Sequence, residues 1–221
     1  MISFNELQEG VYDPNILKAF FLAGGPGSGK SYVVRQTTGG LGLKTVNSDP
    51  AFEKFLKDAQ LSLKMPDKES DARDDVRIKA KKITGIQSKN YVNGRLGLII
   101  DGTGKNFAKI SDEATKLKQL GYDVHMIYVN TSLDTALARN KARARSVPES
   151  MVIKSWREVQ SNIGKFSQYF KRNFVVVDNN DTEEDVMTPV YKQIKSLAMA
   201  KVSNPVGKQW ISNELAKKKR K

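Results

Sequence analysis

Residues 24–31 read Gly24-Gly25-Pro26-Gly27-Ser28-Gly29-Lys30-Ser31, and no other stretch restricts the fold so tightly. The pattern G-x-x-x-x-G-K-[ST] works where a strand runs into a glycine-rich turn that opens a helix. Successive main-chain N–H groups then turn inward around a phosphate, and the helix directs its positive end at the same point. The surrounding sequence supplies that setting. Ala19-Phe20-Phe21-Leu22-Ala23 is a short apolar run suited to a buried parallel strand, and a helix is predicted from Gly29 to the Gly39-Gly40 pair. On this reading Gly25, Pro26, Gly27, Ser28, Gly29, Lys30, Ser31 and Tyr32 are the nucleotide-binding residues. Lys30 reaches between the β- and γ-phosphates, and Ser31 places its hydroxyl on Mg²⁺.

The rest of the chain alternates strands with helices, which implies right-handed crossovers and a mostly parallel sheet covered on both faces. Further strands are predicted at Leu43 to Val46, Leu96 to Asp101, Tyr122 to Val129 and Phe174 to Val177. Asp49 is the expected N-cap of a helix carrying Phe52 and Phe55. Residues 70–93 form a long, largely exposed helix, with Glu69–Arg73 and Asp75–Lys79 as acid-before-base pairs one turn apart. Phe107, Ile110, Ala114 and Leu117 mark a helix stopped by Gly121. Another helix runs from Ser132 to Lys141, into a basic stretch that breaks at Val147-Pro148. Val152, Trp156, Val159, Ile163, Phe166 and Phe170 then mark one long amphipathic helix, with Trp156 and Phe166 in the core. Residues 181–185 resemble a capping box for a helix through Leu197 that Pro189 would kink. The fold class is therefore α/β, a five-stranded P-loop NTPase sheet with a helical lid. Its parts are an N-terminal segment 1–18, a P-loop domain 19–200 with the lid at about 139–149, and a basic extension 201–221.

Asp101 ends the third of these strands, where P-loop proteins place an acid that steadies Mg²⁺; a carboxylate that merely caps the next turn is the alternative. Residue 102 is glycine, so the glutamate that activates water in motor-type ATPases is missing. Asn140-Lys141 begins like a guanine-specificity motif, but Arg143 stands where its carboxylate belongs, so ATP is the expected nucleotide. A kinase further needs a base near the acceptor hydroxyl and cations that follow the moving phosphoryl group. Asp49, at the carboxyl end of the second strand, is the candidate base, and with Asp101 it is placed at the acceptor. Arg139, Arg143 and Arg145, one turn or less apart, form the candidate lid over ATP.

Composition narrows the partners. Lys and Arg exceed Asp and Glu by 37 to 24, a net charge of +13, so polyanions are favoured: nucleic acid, nucleotides or phosphorylated substrates. Five of these charges lie in Lys217 to Lys221, a nucleic-acid-binding run or a solvated tail. The absence of cysteine excludes disulfides and thiolate metal sites, and the single histidine, His125, reads as structural. No apolar run reaches the roughly 18 residues that a membrane span needs, and the acidic N-terminus lacks an export signal, so a cytoplasmic location is expected, the host cytoplasm if the chain is phage-encoded. Asn179-Asn180 lies beside the adenine ring or forms a plain turn, and Trp210 docks on the domain or stacks on a base.

Val46-Asn47-Ser48-Asp49, Leu98-Ile99-Ile100-Asp101-Gly102-Thr103-Gly104-Lys105, residues 117–129 and the segment Arg139-Asn140 to Val147-Pro148 together resemble the zeta-toxin and polynucleotide-kinase branch of P-loop kinases. The resemblance spans about residues 18–180. It implies that Asp49 is the catalytic base and that Arg139, with Arg143 or Arg145, contacts ATP. The strand ending in Asp101-Gly102-Thr103-Gly104 looks closer to the zeta type, where a glutamate at that place helps position a sugar; the lid looks closer to phage polynucleotide 5′-kinases. The implied activity is ATP- and Mg²⁺-dependent phosphorylation of a hydroxyl, on a polynucleotide 5′-end or a nucleotide sugar, with no phosphatase domain following. The rival is a non-catalytic ATP-binding switch or nucleic-acid-binding protein.

Overall fold

The computed structural model describes residues 10–64, 66–143, 146–180 and 187–219. Lys18–Ala23 (β1) is buried at every position because it pairs on both sides, with Leu98–Ile100 (β3) and with Asp123–Asn130 (β4). Lys44–Val46 (β2) lies outside β3 and Phe174–Asp178 (β5) outside β4, so the order is β2-β3-β1-β4-β5, with every pairing parallel. A strand covered on both faces has no polar side to show, and the continuous apolar runs of β1 and β4 follow from that.

Side chains alternate along β1 and build two cores. Ala19, Phe21 and Ala23 face one cluster with Tyr128, Ala114 and Leu117 of Phe107–Gln119 (α4 below), and Phe166 and Phe170. Phe20 and Leu22 face the other, with Val33, Ile127, Val175 and Ile194. In chain order the helices are Lys30–Thr38 (α1), Asp49–Asp58 (α2), Ser70–Asn93 (α3), Phe107–Gln119 (α4), Leu133–Ala142 (α5), Glu149–Gln160 (α6), Ile163–Phe170 (α7), Met187–Met199 (α8) and Pro205–Lys219 (α9). The α/β class with helices on both faces is as the sequence predicts. A third small cluster, Phe52 and Leu56 against Ala80, fastens α2 to α3.

Five local readings change. The apolar pattern from Val152 to Phe170 is two helices, not one. The break falls at Ser161 and Asn162, where the buried Asn162 amide donates to the carbonyls of Gly104 and Lys105 at 3.1 and 2.7 Å. Asp49 is the first residue of α2, not its N-cap, which is Ser48. The surface pairs of α3 do not form: Arg73 donates to the Pro66 carbonyl at 3.0 Å, and Glu69 accepts from the Ser62 N–H at 2.8 Å. Residues beyond 201 are not merely a polar extension, because α9 packs back on the domain. Asp123 accepts the main-chain N–H groups of Ser203 and Asn204 and the Ser203 hydroxyl, Gly207 lies against Gly121, and Trp210 packs on the first core cluster. Trp156 is half-buried rather than core, with its indole N–H donated to the Thr131 carbonyl at 2.7 Å. Pro189 is the third residue of α8. The capping box at 181–185 lies outside the described residues, as do Arg220 and Lys221.

Candidate active site

The carboxyl ends of β1, β2 and β3 open on a cavity of about 710 Å³, inside the range usual for small-molecule sites. Its floor is the turn between β1 and α1. Gly27 and Gly29 both have φ of 79°, a left-handed conformation that glycine adopts without strain. Each also lacks room for a side chain: a Cβ on Gly27 would overlap the Ala136 carbonyl of α5, and one on Gly29 would overlap the Asn179 amide. The turn is thus pressed between α5 and the end of β5. The Ser28 carbonyl accepts from the Asn179 amide at 2.8 Å and from the Thr131 hydroxyl at 3.2 Å. Asn179-Asn180 therefore braces the loop: Asn179 is buried, and Asn180 accepts from the Ser132 N–H.

Lys30 and Ser31, at the start of α1, line the cavity together with Gly25, Pro26, Gly27 and Gly29. The Lys30 ammonium donates to the Gly24 carbonyl at 2.6 Å. Burial lowers its pKa, while Asp101 and then Asp49 act in the opposite direction, which places both carboxylates within electrostatic reach of the loop lysine. Burial in turn raises the pKa of Asp101, with Lys30 opposing. Asn47 ties the two acids together. Its amide N–H donates to Asp101 Oδ2 at 2.8 Å, and its carbonyl accepts the main-chain N–H of Asp49 at 2.8 Å.

Asp101 Oδ1 is buried and has no hydrogen-bond partner, so the carboxylate keeps an unsatisfied acceptor beside Lys30. Mg²⁺ takes oxygen ligands, commonly one or two protein groups with phosphate and water completing the shell. Asp101 and Ser31, on the same cavity wall, are a donor set that fits it. No group of three or more His, Cys, Asp or Glu suited to a metal occurs among the described residues, so a fully protein-built metal cage is not found there.

Above the loop, Arg139 lies in α5, and its guanidinium donates to the Asn179 carbonyl at 2.7 Å. Arg143 is the C-cap of α5 and also lines the cavity. Asn140 holds both main-chain groups of Val147, just before α6, donating to its carbonyl at 2.8 Å and accepting its N–H at 3.2 Å. Arg145 lies outside the described residues.

The structure thus brings Lys30, Ser31, Asp49, Asp101, Arg139 and Arg143 to one cavity. Ser28 contributes main chain beneath it, and its buried hydroxyl has no partner. Tyr32 is 46 % exposed and does not line the cavity. Sequence reasoning missed Arg73, Asp74 and Arg77 of α3 and Lys105 after β3, all of which line it. The signal for the arginines was their own four-residue spacing, hidden by pairing Arg73 with Glu69. His125 is buried in β4, stacked on Phe20 with centroids 4.8 Å apart, away from this cavity.

The zeta toxin family model matches residues 11–188. A comparison with curated proteins gave no match. Among solved structures, a protein of Chloroflexus aurantiacus j-10-fl provisionally assigned as a kinase aligns with a TM-score of 0.57 at 15% identity, over 86% of this chain and 98% of its own. A chain of the Pnkp1/Rnl/Hen1 RNA repair complex aligns with a TM-score of 0.52 at 20% identity, over 74% of this chain and 49% of its own, so this chain spans about half that length. The AvrRxo1-ORF1:-ORF2 complex, solved with ATP, gives a TM-score of 0.59 at 14% identity over 81% of this chain and 64% of the matched chain. These likenesses establish a shared fold.

Proposed function

We propose that this chain, which belongs to the zeta toxin family, transfers the γ-phosphoryl group of ATP to a hydroxyl acceptor. The observation that carries this reading is the juxtaposition in one cavity of a phosphate loop, its lysine and the Asp49 carboxylate, which is electrostatically coupled to that lysine. The loop amides and Lys30 hold the β- and γ-phosphates. Asp49, opening α2, accepts the proton of the acceptor hydroxyl as its oxygen bonds to the γ-phosphorus. The bond from that phosphorus to the β–γ bridging oxygen breaks, and ADP carries the electron pair away. Arg139 and Arg143 neutralise charge on the transferred group. Mg²⁺, held by Ser31 and Asp101, would screen the charge on the phosphate oxygens.

ATP as donor is supported by the intact loop and by the related AvrRxo1 complex solved with ATP. The acceptor is a polynucleotide 5′-hydroxyl or a nucleotide sugar; the cavity's basic lining suits both. The reading places the protein in the cytoplasm, and no described helix is long and apolar enough to cross a membrane. Replacement of Asp49 tests the base. Asp49→Asn should leave Mg·ATP affinity nearly intact while lowering turnover by about 10²- to 10⁴-fold, the usual worth of a general base. Radiolabelled ATP incubated with a mixed acceptor extract supplies the assay, and unchanged labelling by the variant would remove Asp49 from that role.

A further inference from the structure

The phosphate-loop part of the cavity is accounted for by Lys30, Arg139 and Arg143, but two more guanidinium groups line it, Arg73 and Arg77 of α3, the helix packed on α2. Four residues apart, they are neighbours on one helix face. Arg77 lies over the ring of Phe52, 4.4 Å from its centroid. Phe52 is buried and follows Asp49 by three residues, so Arg77 is anchored on the same helix that Asp49 opens, and both line the cavity. Arg73 is steadied by its bond to the Pro66 carbonyl. Among the described residues, neither arginine lies within salt-bridge distance of a carboxylate. Their remaining N–H donors are available to whatever enters.

With the γ-phosphate at Lys30 and the hydroxyl at Asp49, a group lying beyond Asp49 is part of the acceptor. Two planar forks match the several oxygens and double charge of a phosphate better than a single carboxylate. Resting on the kinase reading above, we infer that Arg73 and Arg77 recognise a phosphate carried by the acceptor. The substrate is then an alcohol already phosphorylated elsewhere, not a neutral sugar or amino alcohol. Asp74, which lines the same wall, sets the limit on that affinity by repelling the anion.

The experiment separates this inference from the kinase reading. Protein is first titrated with Mg·AMP-PNP, which fills the phosphate loop, and the loaded protein is then titrated calorimetrically with inorganic phosphate at constant ionic strength. Acetate serves as control. One phosphate should bind per chain, Arg73→Gln and Arg77→Gln should each weaken it by roughly tenfold or more, and acetate should not compete. Asp74→Asn should tighten phosphate binding, a change that locates the anion at this wall and that needs no variant of either arginine to fold. Adenosine 3′-monophosphate and uridine diphosphate then distinguish the source: the one that binds more tightly than phosphate and loses affinity in the same variants identifies a nucleic-acid end or a nucleotide sugar. Normal AMP-PNP binding with no bound phosphate, or phosphate binding indifferent to all three substitutions, overturns the inference and leaves the kinase reading standing. Failure of AMP-PNP itself to bind overturns both.

Discussion

Protonation of His125 should cost this fold about 3 kcal/mol, and acidification from pH 7 is the perturbation that reveals it. The imidazole is 4 % exposed, stacks on Phe20, and neither ring nitrogen has a hydrogen-bond partner. Burial first, and the nearby Lys18 charge second, bring its pKa from 6.5 down to about 4, with Asp123 opposing. Between those two values the unfolded chain binds the extra proton and the folded chain does not, so stability rises with pH across that window. It is complete above the unfolded value and is lost as pH falls towards the folded one. At about 1.4 kcal/mol per pH unit, moving from pH 7 to 5 should remove roughly 2 kcal/mol.

Other groups act elsewhere or in the opposite sense. Burial alone would raise Asp123, but bonds from Lys18 and Ser203 hold it below its ordinary value, so its contribution disappears only in stronger acid. Asp101 and Glu113, raised by burial, gain stability as pH falls through the carboxylate range. His125→Phe keeps the stacked ring and removes the titration, and any overpacking it adds is independent of pH. Urea unfolding of both proteins at pH 7, 6 and 5 should therefore show their stability difference shifting by roughly 2 kcal/mol in favour of the variant. Parallel curves over that range would refute the reasoning, because they would require a hydrated or hydrogen-bonded imidazole.

Gly27→Ala should destabilise the protein by about 2–5 kcal/mol, combining a left-handed alanine with overlap against the α5 backbone, and abolish calorimetric ATP binding; full stability with normal binding would show that the loop and α5 can separate. Lys18→Met strands the buried Asp123 carboxylate and should cost about 3–5 kcal/mol, read as a lower urea midpoint; a midpoint unchanged from the parent would mean that Ser203 and Asn204 alone satisfy Asp123.

The sheet was legible because fully covered parallel strands leave uninterrupted apolar runs, as in Ala19–Ala23 and in the strand ending at Val129. The phosphate loop was legible because its glycines serve a local geometry. What escaped depends on long-range partners. The break between α6 and α7 leaves the apolar spacing of Val159, Ile163 and Phe166 intact, and only the bonds of Asn162 to Gly104 and Lys105 show it. Helix α9 carries little apolar periodicity and is fastened by polar groups, the Asp123 carboxylate above all. Arg73 and Arg77 looked like solvated residues because their Phe52 and Pro66 partners belong to other segments. The site amides Asn47, Asn140 and Asn179 carry no periodic signal at all, yet each joins two elements.

Those amides explain how a short glycine turn can hold its shape. The Ser28 carbonyl is gripped from the ends of β4 and β5 through Thr131 and Asn179, Asn179 is in turn gripped by Arg139 of α5, and the Thr131 carbonyl is gripped by Trp156 of α6. The chain runs through main-chain carbonyls, so each bond fixes the backbone rather than a side-chain tip. Arg139 therefore has its orientation set by folding, beside the loop that Lys30 completes. Electrostatic stabilisation of a transferring phosphoryl group is largest when the donors need no rearrangement as charge develops. Gly29 makes this arrangement possible, since any side chain there would displace the Asn179 side-chain amide that holds the Ser28 carbonyl, next to the guanidinium of Arg139, which is itself bonded to the Asn179 main-chain carbonyl.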